Sequence, residues 1–209
     1  GIVNLKSAMK QSCDTYFYEI ARKLGVDRLK ETSIKFGLGE KVLNETFGNE
    51  KKGLIPDTKW KKDNLGKGWV IGETLITGIG QGYTQTTPLQ LCQMTAQLAN
   101  GGFKIYPKII VEENSKTVED IRVIMNENRK QLNKESSTIQ DATELLGLVN
   151  KKEYEALFEN SKNIDLVREA MFASTNEPRG TSYSSRIEDP KYQFAGKTGT
   201  SQVKRITKA

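Results

Sequence analysis

Histidine is absent from these 209 residues, and cysteine occurs only twice, as Cys13 and Cys92. Without imidazole, a Ser-His-Asp or Cys-His mechanism confined to this chain is excluded. Two cysteines and no histidine leave too few soft ligands for a zinc site, so no metal or other cofactor is expected. Any acyl transfer must draw its base from elsewhere, and lysine is the obvious candidate. No apolar run approaches the roughly 20 residues that a membrane-spanning helix requires, and no charged-then-apolar leader opens the chain. Aromatic residues are few and do not alternate with basic ones, so no nucleic-acid platform is indicated.

What is present suits a globular domain. The net charge of +6 comes from 32 basic against 26 acidic residues. Most of the basic residues are scattered lysines. The densest group, Lys51, Lys52, Lys59, Lys61 and Lys62, is interrupted by Gly, Pro and Asp and reads as a solvated surface. The length allows one large domain with a real core or two small ones.

From Leu5 to Leu24 apolar residues recur in steps of three and four, at Leu5, Met9, Cys13, Phe17, Ile20 and Leu24. That spacing predicts one buried helical stripe. Ser12-Cys13-Asp14 interrupts it with residues that prefer caps and turns, which predicts a break. Gly25 reads as the stop, and Asp27 as the cap of a second short helix running to Phe36, ended by Gly37 and Gly39. Residues 40–82 show little periodicity and predict long loops with short strands, anchored by Trp60 and Trp69.

The clearest helix follows. Thr86 or Thr87 caps it, Pro88 takes the first turn, Leu89, Cys92, Ala96 and Ala99 form its apolar side, and Gly101-Gly102 stops it. Both cysteines thus fall in helical patterns, where a free thiol is a small buried hydrophobe. Residues 103–111 predict a strand. The polar stretch 112–163, with short helical pieces at 142–148 and 152–158, reads as an insertion or side lobe. A helix over 164–172 ends in a turn at 176–180, and 197–203 predict a final strand. Helices and strands intermixed give the α+β class.

Two short runs carry chemistry. Lys197-Thr198-Gly199-Thr200 on an exposed strand would put Lys197 and Gly199 on one face, with Thr198 and Thr200 on the other or at a twist. Its glycine would leave room for a substrate peptide beside a positive charge. Ser12 and Asp14, two apart at a helix break, could point a hydroxyl into a cleft. Each run alone also fits a bland reading, as a surface strand with a bulge and an ordinary helix cap.

Together with their flanks these runs resemble the transpeptidase domain of the class B penicillin-binding proteins, of the penicillin-binding protein 2 kind. Asn4-Leu5-Lys6 followed by Ser12-Cys13-Asp14-Thr15-Tyr16-Phe17-Tyr18 is similar to the family's second motif and its flanks. Gly78-Ile79-Gly80-Gln81-Gly82-Tyr83 and Thr86-Thr87-Pro88-Leu89-Gln90 resemble the stretch before a family helix. Met171, Asn176, Gly180-Thr181 and Ala195-Gly196-Lys197-Thr198-Gly199-Thr200 resemble its run into the third motif. The order and spacing agree along nearly the whole chain, residues 112–163 excepted.

The resemblance implies a penicillin-binding/β-lactamase-like α+β fold, with residues 1–209 a partial transpeptidase domain, incomplete at both ends. It implies a D,D-transpeptidase that cross-links stem peptides ending in D-Ala-D-Ala through an acyl-serine, and is blocked by β-lactams. In the family the acylated serine lies in a Ser-x-x-Lys element several dozen residues before the Ser-x-Asp motif, so these 209 residues alone are expected to be inactive. Ser7-Ala8-Met9-Lys10 fits that pattern literally, but sits only five positions before Ser12 and reads as helix entry.

By the same resemblance Ser12 relays a proton to the leaving nitrogen, Asp14 orients the turn, and Lys197 supplies positive potential. Thr198, Gly199 and Thr200 bind substrate, with the Thr200 N–H available to an oxyanion. A lipid-linked glycosyltransferase partner, a single-pass anchor outside these residues and a periplasmic location at the inner membrane are implied as well. A serine β-lactamase or β-lactam sensor of the same fold, and a non-catalytic cell-wall scaffold, are the alternatives.

Overall fold

In the computed structural model, residues 3–43, 48–107 and 155–201 are described. They form seven α-helices: α1 (Leu5–Lys10), α2 (Asp14–Leu24), α3 (Val26–Lys35), α4 (Thr58–Leu65), α5 (Ile71–Thr77), α6 (Pro88–Ala99) and α7 (Lys162–Asn176). Two 3-10 turns follow, Tyr183–Ser185 and Pro190–Tyr192. Among the described residues β structure amounts to two isolated antiparallel bridges, Leu54 with Gln85 and Phe103 with Ala156.

The expected break at Ser12 is real. Asn4 caps α1 by accepting from the Ser7 N–H at 2.9 Å. The chain then leaves the helix through Ser12, whose φ is +54°, and re-enters at Asp14. A non-glycine residue held there is strained by roughly 1–3 kcal/mol. The backbone meets that cost locally, with the Cys13 N–H donating to Ala8 O at 2.9 Å.

Asp27 does not cap α3. That helix begins one residue earlier, with Gly25 at its N-cap. The Asp27 carboxylate instead accepts from the Thr58 N–H at 3.0 Å and the Thr58 hydroxyl at 3.1 Å, satisfying an orphan donor at the start of α4.

Residues 40–82 hold two helices where loops and short strands were expected. α4 reads TKWKKDNL, with no apolar stripe, and is fixed by its ends: Asp57 caps it and Gly66 stops it in the left-handed region. α5 is fixed by the Glu73 carboxylate, which accepts from the Val70 N–H at 3.0 Å. Trp60 and Trp69 do anchor the stretch, packing on Tyr83 with ring centroids 5.2 and 6.4 Å apart. Lys61, expected on a solvated surface, is buried and ion-paired with Glu73 at 2.6 Å.

Thr87 caps α6 in a reciprocal capping box with Gln90. The buried side of α6 is not the expected one, for Cys92 and Ala99 are exposed; the other cysteine, Cys13 before α2, is half-buried. Gln90 and Gln97 are buried instead. Gln90 Nε2 donates to Glu40 O and Lys52 O at 2.7 Å each, and Gln97 Nε2 to Phe36 O at 3.0 Å. Loop carbonyls without a ladder need donors, and the glutamine amides supply them.

The strand expected over 103–111 shows only the Phe103 bridge within 103–107, and 108–111 lie outside the described residues. Of the 112–163 stretch only 155–163 are described, and the helical piece at 142–148 lies outside them. At its described end 155–158 pair with the core rather than coil: Ala156 bridges Phe103, Leu157 is buried, and Phe158 packs on Phe36 at 5.3 Å.

Two helix contacts set up the site. α1 lies on α7, and the fully buried Ala8, Ala170 and Ala173 let their axes approach. α2 lies on α5, where a Cβ on Gly78 would fall 2.4 Å from Ala21 Cβ. Gly78→Ala therefore forces the two elements apart and is expected to destabilise the fold by about 1–3 kcal/mol in a denaturant titration.

Candidate active site

The turn between α1 and α2 carries Ser12, and the extended run after the second 3-10 turn carries Lys197. They are 185 positions apart in sequence and meet in space, with Lys197 Nζ donating to Ser12 Oγ at 3.0 Å. The same ammonium donates to Thr198 O at 2.9 Å and to Thr198 Oγ1 at 3.1 Å. A lysine ammonium has three N–H donors, and all three are engaged.

Residues 193–201 form no strand, since no described segment runs alongside to complete a ladder. The long Lys197 side chain curls back so that its ammonium reaches the hydroxyl of Thr198. The run is held by α7. Gly196 N–H donates to Met171 O at 3.2 Å, and Asn176 Nδ2 donates to Phe194 O at 2.8 Å. A Cβ on Gly196 would lie 3.2 Å from the buried Thr175 hydroxyl, whereas one on Gly199 would meet nothing within 4 Å. The described residues thus leave the space over Gly199 open. Further on, Gln81 Nε2, from the turn after α5, donates to Thr200 O at 2.9 Å.

Burial around Nζ lowers the Lys197 pKa below the ordinary lysine value, and the Asp14 carboxylate opposes that shift. Within the described residues the Asp14 carboxylate takes part in no hydrogen bond, so it acts on Lys197 through its charge. The Ser12 turn is held by backbone bonds rather than by Asp14.

Beside the Ser12 turn, the turn after α7 is tied to α1. Thr181 N–H donates to Lys10 O at 3.0 Å, and Glu177 accepts from Lys10 at 2.8 Å and pairs with Lys6 at 2.9 Å. Those two ammoniums hold the Glu177 carboxyl below its usual range, the Lys10 hydrogen bond contributing most. Lys10 is therefore a clamp on Glu177, which removes the lysine that Ser7 would need as partner.

Sequence reasoning brought Ser12, Lys197 and Thr198 to one place, but gave no role to Gln81, Ser174 or Thr181. Their contacts cross from 7 to 119 positions and leave no periodic trace.

A lysine donating to a serine hydroxyl, with a threonine hydroxyl on the same ammonium, is an arrangement that can hold an anion and pass a proton. The family model described as "Penicillin binding protein transpeptidase domain" matches residues 1–208. The peptidoglycan D,D-transpeptidase MrdA of Acinetobacter baumannii is 34% identical over 208 residues, 99% of this chain and 26% of that protein. MrdA of Escherichia coli strain K12 is 30% identical over 203 residues, 97% of this chain and 28% of that protein. The chain thus spans about a quarter of the length of these relatives. Among solved structures, PBP2 of Helicobacter pylori in complex with MreC superposes with a TM-score of 0.71 at 27% identity, covering 96% of this chain and 31% of that one. PBP2 of Pseudomonas aeruginosa in complex with WCK 5153 gives 0.67 at 35%, covering 96% and 39%.

Proposed function

The chain belongs to the penicillin-binding protein transpeptidase family, with the α+β fold of the PBP2 structures, and from that premise we propose that it serves in peptidoglycan D,D-transpeptidation. The observation that carries this reading is the Lys197–Ser12 hydrogen bond at 3.0 Å, with Thr198 on the same ammonium.

The chemistry follows from those donors. A serine hydroxyl attacks the carbonyl of the penultimate D-Ala, and its proton passes to a neighbouring lysine as the C–O bond forms. The C–N bond then breaks, and the departing D-Ala amine must receive a proton. Because the Lys197 ammonium donates to Ser12 Oγ, the Ser12 proton points away from Lys197 and toward the cleft. Ser12 can give that proton to the leaving nitrogen and recover one from the lysine side, a service worth roughly 10²–10⁴-fold. Attack by the amine of a second stem peptide runs the same path in reverse and forms the cross-link.

Lys197 and the Thr198 and Thr200 hydroxyls receive the terminal carboxylate, the substrate lies along the open backbone at Gly199, and Asp14 tunes Lys197 by its field. The acylated serine is neither Ser12, which Lys197 holds as a relay, nor Ser7, whose lysine is clamped to Glu177. In this reading the protein works at the periplasmic face of the inner membrane, with a lipid-linked glycosyltransferase as partner and β-lactams as inhibitors.

The test is release of D-Ala from a D-Ala-D-Ala peptide by the native protein. Ser12→Ala is expected to slow release by about 10²-fold or more while leaving folding intact. Unchanged release in that variant would remove Ser12 from the mechanism.

A further inference from the structure

The hydroxyl chain behind the cleft reaches further than substrate contact. Ser174, fully buried on α7, has its Oγ 3.2 Å from Thr181 Oγ1. Thr181 Oγ1 is in turn 3.2 Å from Thr198 Oγ1, which accepts from Lys197. The geometry around this chain is rigid. Ser182 N–H donates to Ser174 O at 3.0 Å, and a Cβ on Gly180 would fall 2.2 Å from that same oxygen.

We infer that Thr181, backed by Ser174, is a positioning residue that fixes the direction of the Thr198 hydroxyl so that its proton points into the cleft toward the substrate carboxylate. A hydroxyl carries one donor and two acceptor sites. Ser174 is buried, and Thr181 Oγ1 is the acceptor its proton has among the described residues. Leaving that proton unpaired would cost more than a hydrogen bond returns, so Ser174 donates to Thr181. Thr181 then donates its own hydroxyl hydrogen to Thr198. With Lys197 on one lone pair of Thr198 and Thr181 on the other, only the Thr198 proton remains, and it is left free for a substrate oxygen. The reversed chain would turn a lone pair toward an anion and repel it.

This inference rests on the proposed transpeptidase reading, and its test separates the two. The native protein, Thr181→Val, Thr181→Ser and Ser174→Ala are acylated with benzylpenicillin and with its uncharged methyl ester, and second-order rate constants are compared. Thr181→Val, which keeps the Thr198 hydroxyl but frees its direction, is expected to lose several-fold with the free carboxylate and less than about twofold with the ester, a fraction of the full value of a hydrogen bond to a charged group. Thr181→Ser is expected to restore the rate. Ser174→Ala, which frees the Thr181 proton to point either way, is expected to show a smaller loss of the same carboxylate-selective kind, and it carries the test should Thr181→Val not fold. Equal losses on both compounds, or no loss on either, would overturn the inference while leaving the transpeptidase reading standing. A native protein acylated by neither compound would overturn that reading, and this inference with it.

Discussion

In the native protein, Lys197→Ala lowers the rate of β-lactam acylation by roughly 10³-fold, within the range for loss of a positioned proton-transfer group. One truncation removes three N–H donors at once, those on Ser12 Oγ, Thr198 O and Thr198 Oγ1. Ser12 then loses the bond that turns its proton outward, and Thr198 loses its link to the relay. The positive charge facing the carboxylate goes too. Lys197→Arg keeps the charge but replaces a compact ammonium by a planar fork, and it is expected to recover only a small part of the rate. Stopped-flow acylation checks both variants. A Lys197→Ala protein acylated at near the native rate would remove this lysine from the site.

The largest effect on stability is expected at the Lys61–Glu73 pair. Their side chains retain only 6% and 15% of their exposure, and they meet at 2.6 Å. Glu73→Gln leaves an ammonium buried without its counter-charge, which costs about 3–5 kcal/mol. It also weakens the bond that starts α5 and, through α5, the packing on α2 that carries the Ser12 turn. Replacing both partners by apolar residues, as in Lys61→Met with Glu73→Leu, is expected to recover most of that loss. Denaturant unfolding of the single and double variants measures the difference, and a double variant no better than Glu73→Gln would refute the account of the pair.

The same pair sets an acid limit. Burial alone raises the Glu73 pKa, but hydrogen bonds from Lys61, the Val70 N–H and Tyr83, with the Lys61 charge, outweigh it and hold the carboxyl below its ordinary 4.5. Between the folded and ordinary values the unfolded chain binds the proton more readily. The stabilisation is therefore complete above pH 4.5 and lost as pH falls through the lowered folded value.

Much of this was legible in the sequence, and the failures share a cause. The break at Ser12 could be read because Ser and Asp compete with helical hydrogen bonds wherever they stand. Capping of α6 could be read because Thr87, Pro88 and Gln90 act within one turn. The two motifs could be paired through resemblance, which stands in for a contact across 185 positions. By contrast α4 has no apolar stripe, and Asp57 and Gly66 gain meaning only once a helix is assumed between them. Lys61 looked like one more surface lysine because its partner lies 12 residues on, across a turn. The buried glutamines of α6 inverted the expected face, since their value lies in loop carbonyls that no periodicity announces.

The most direct test of the central claim is the intact mass of the native protein after reaction with a β-lactam, with peptide mapping of the adduct. The account predicts one adduct, on a serine other than Ser7 or Ser12, formed far more slowly when Lys197 is Ala. An adduct mapped to Ser7 or Ser12, or a folded protein that takes up no β-lactam at all, would contradict it.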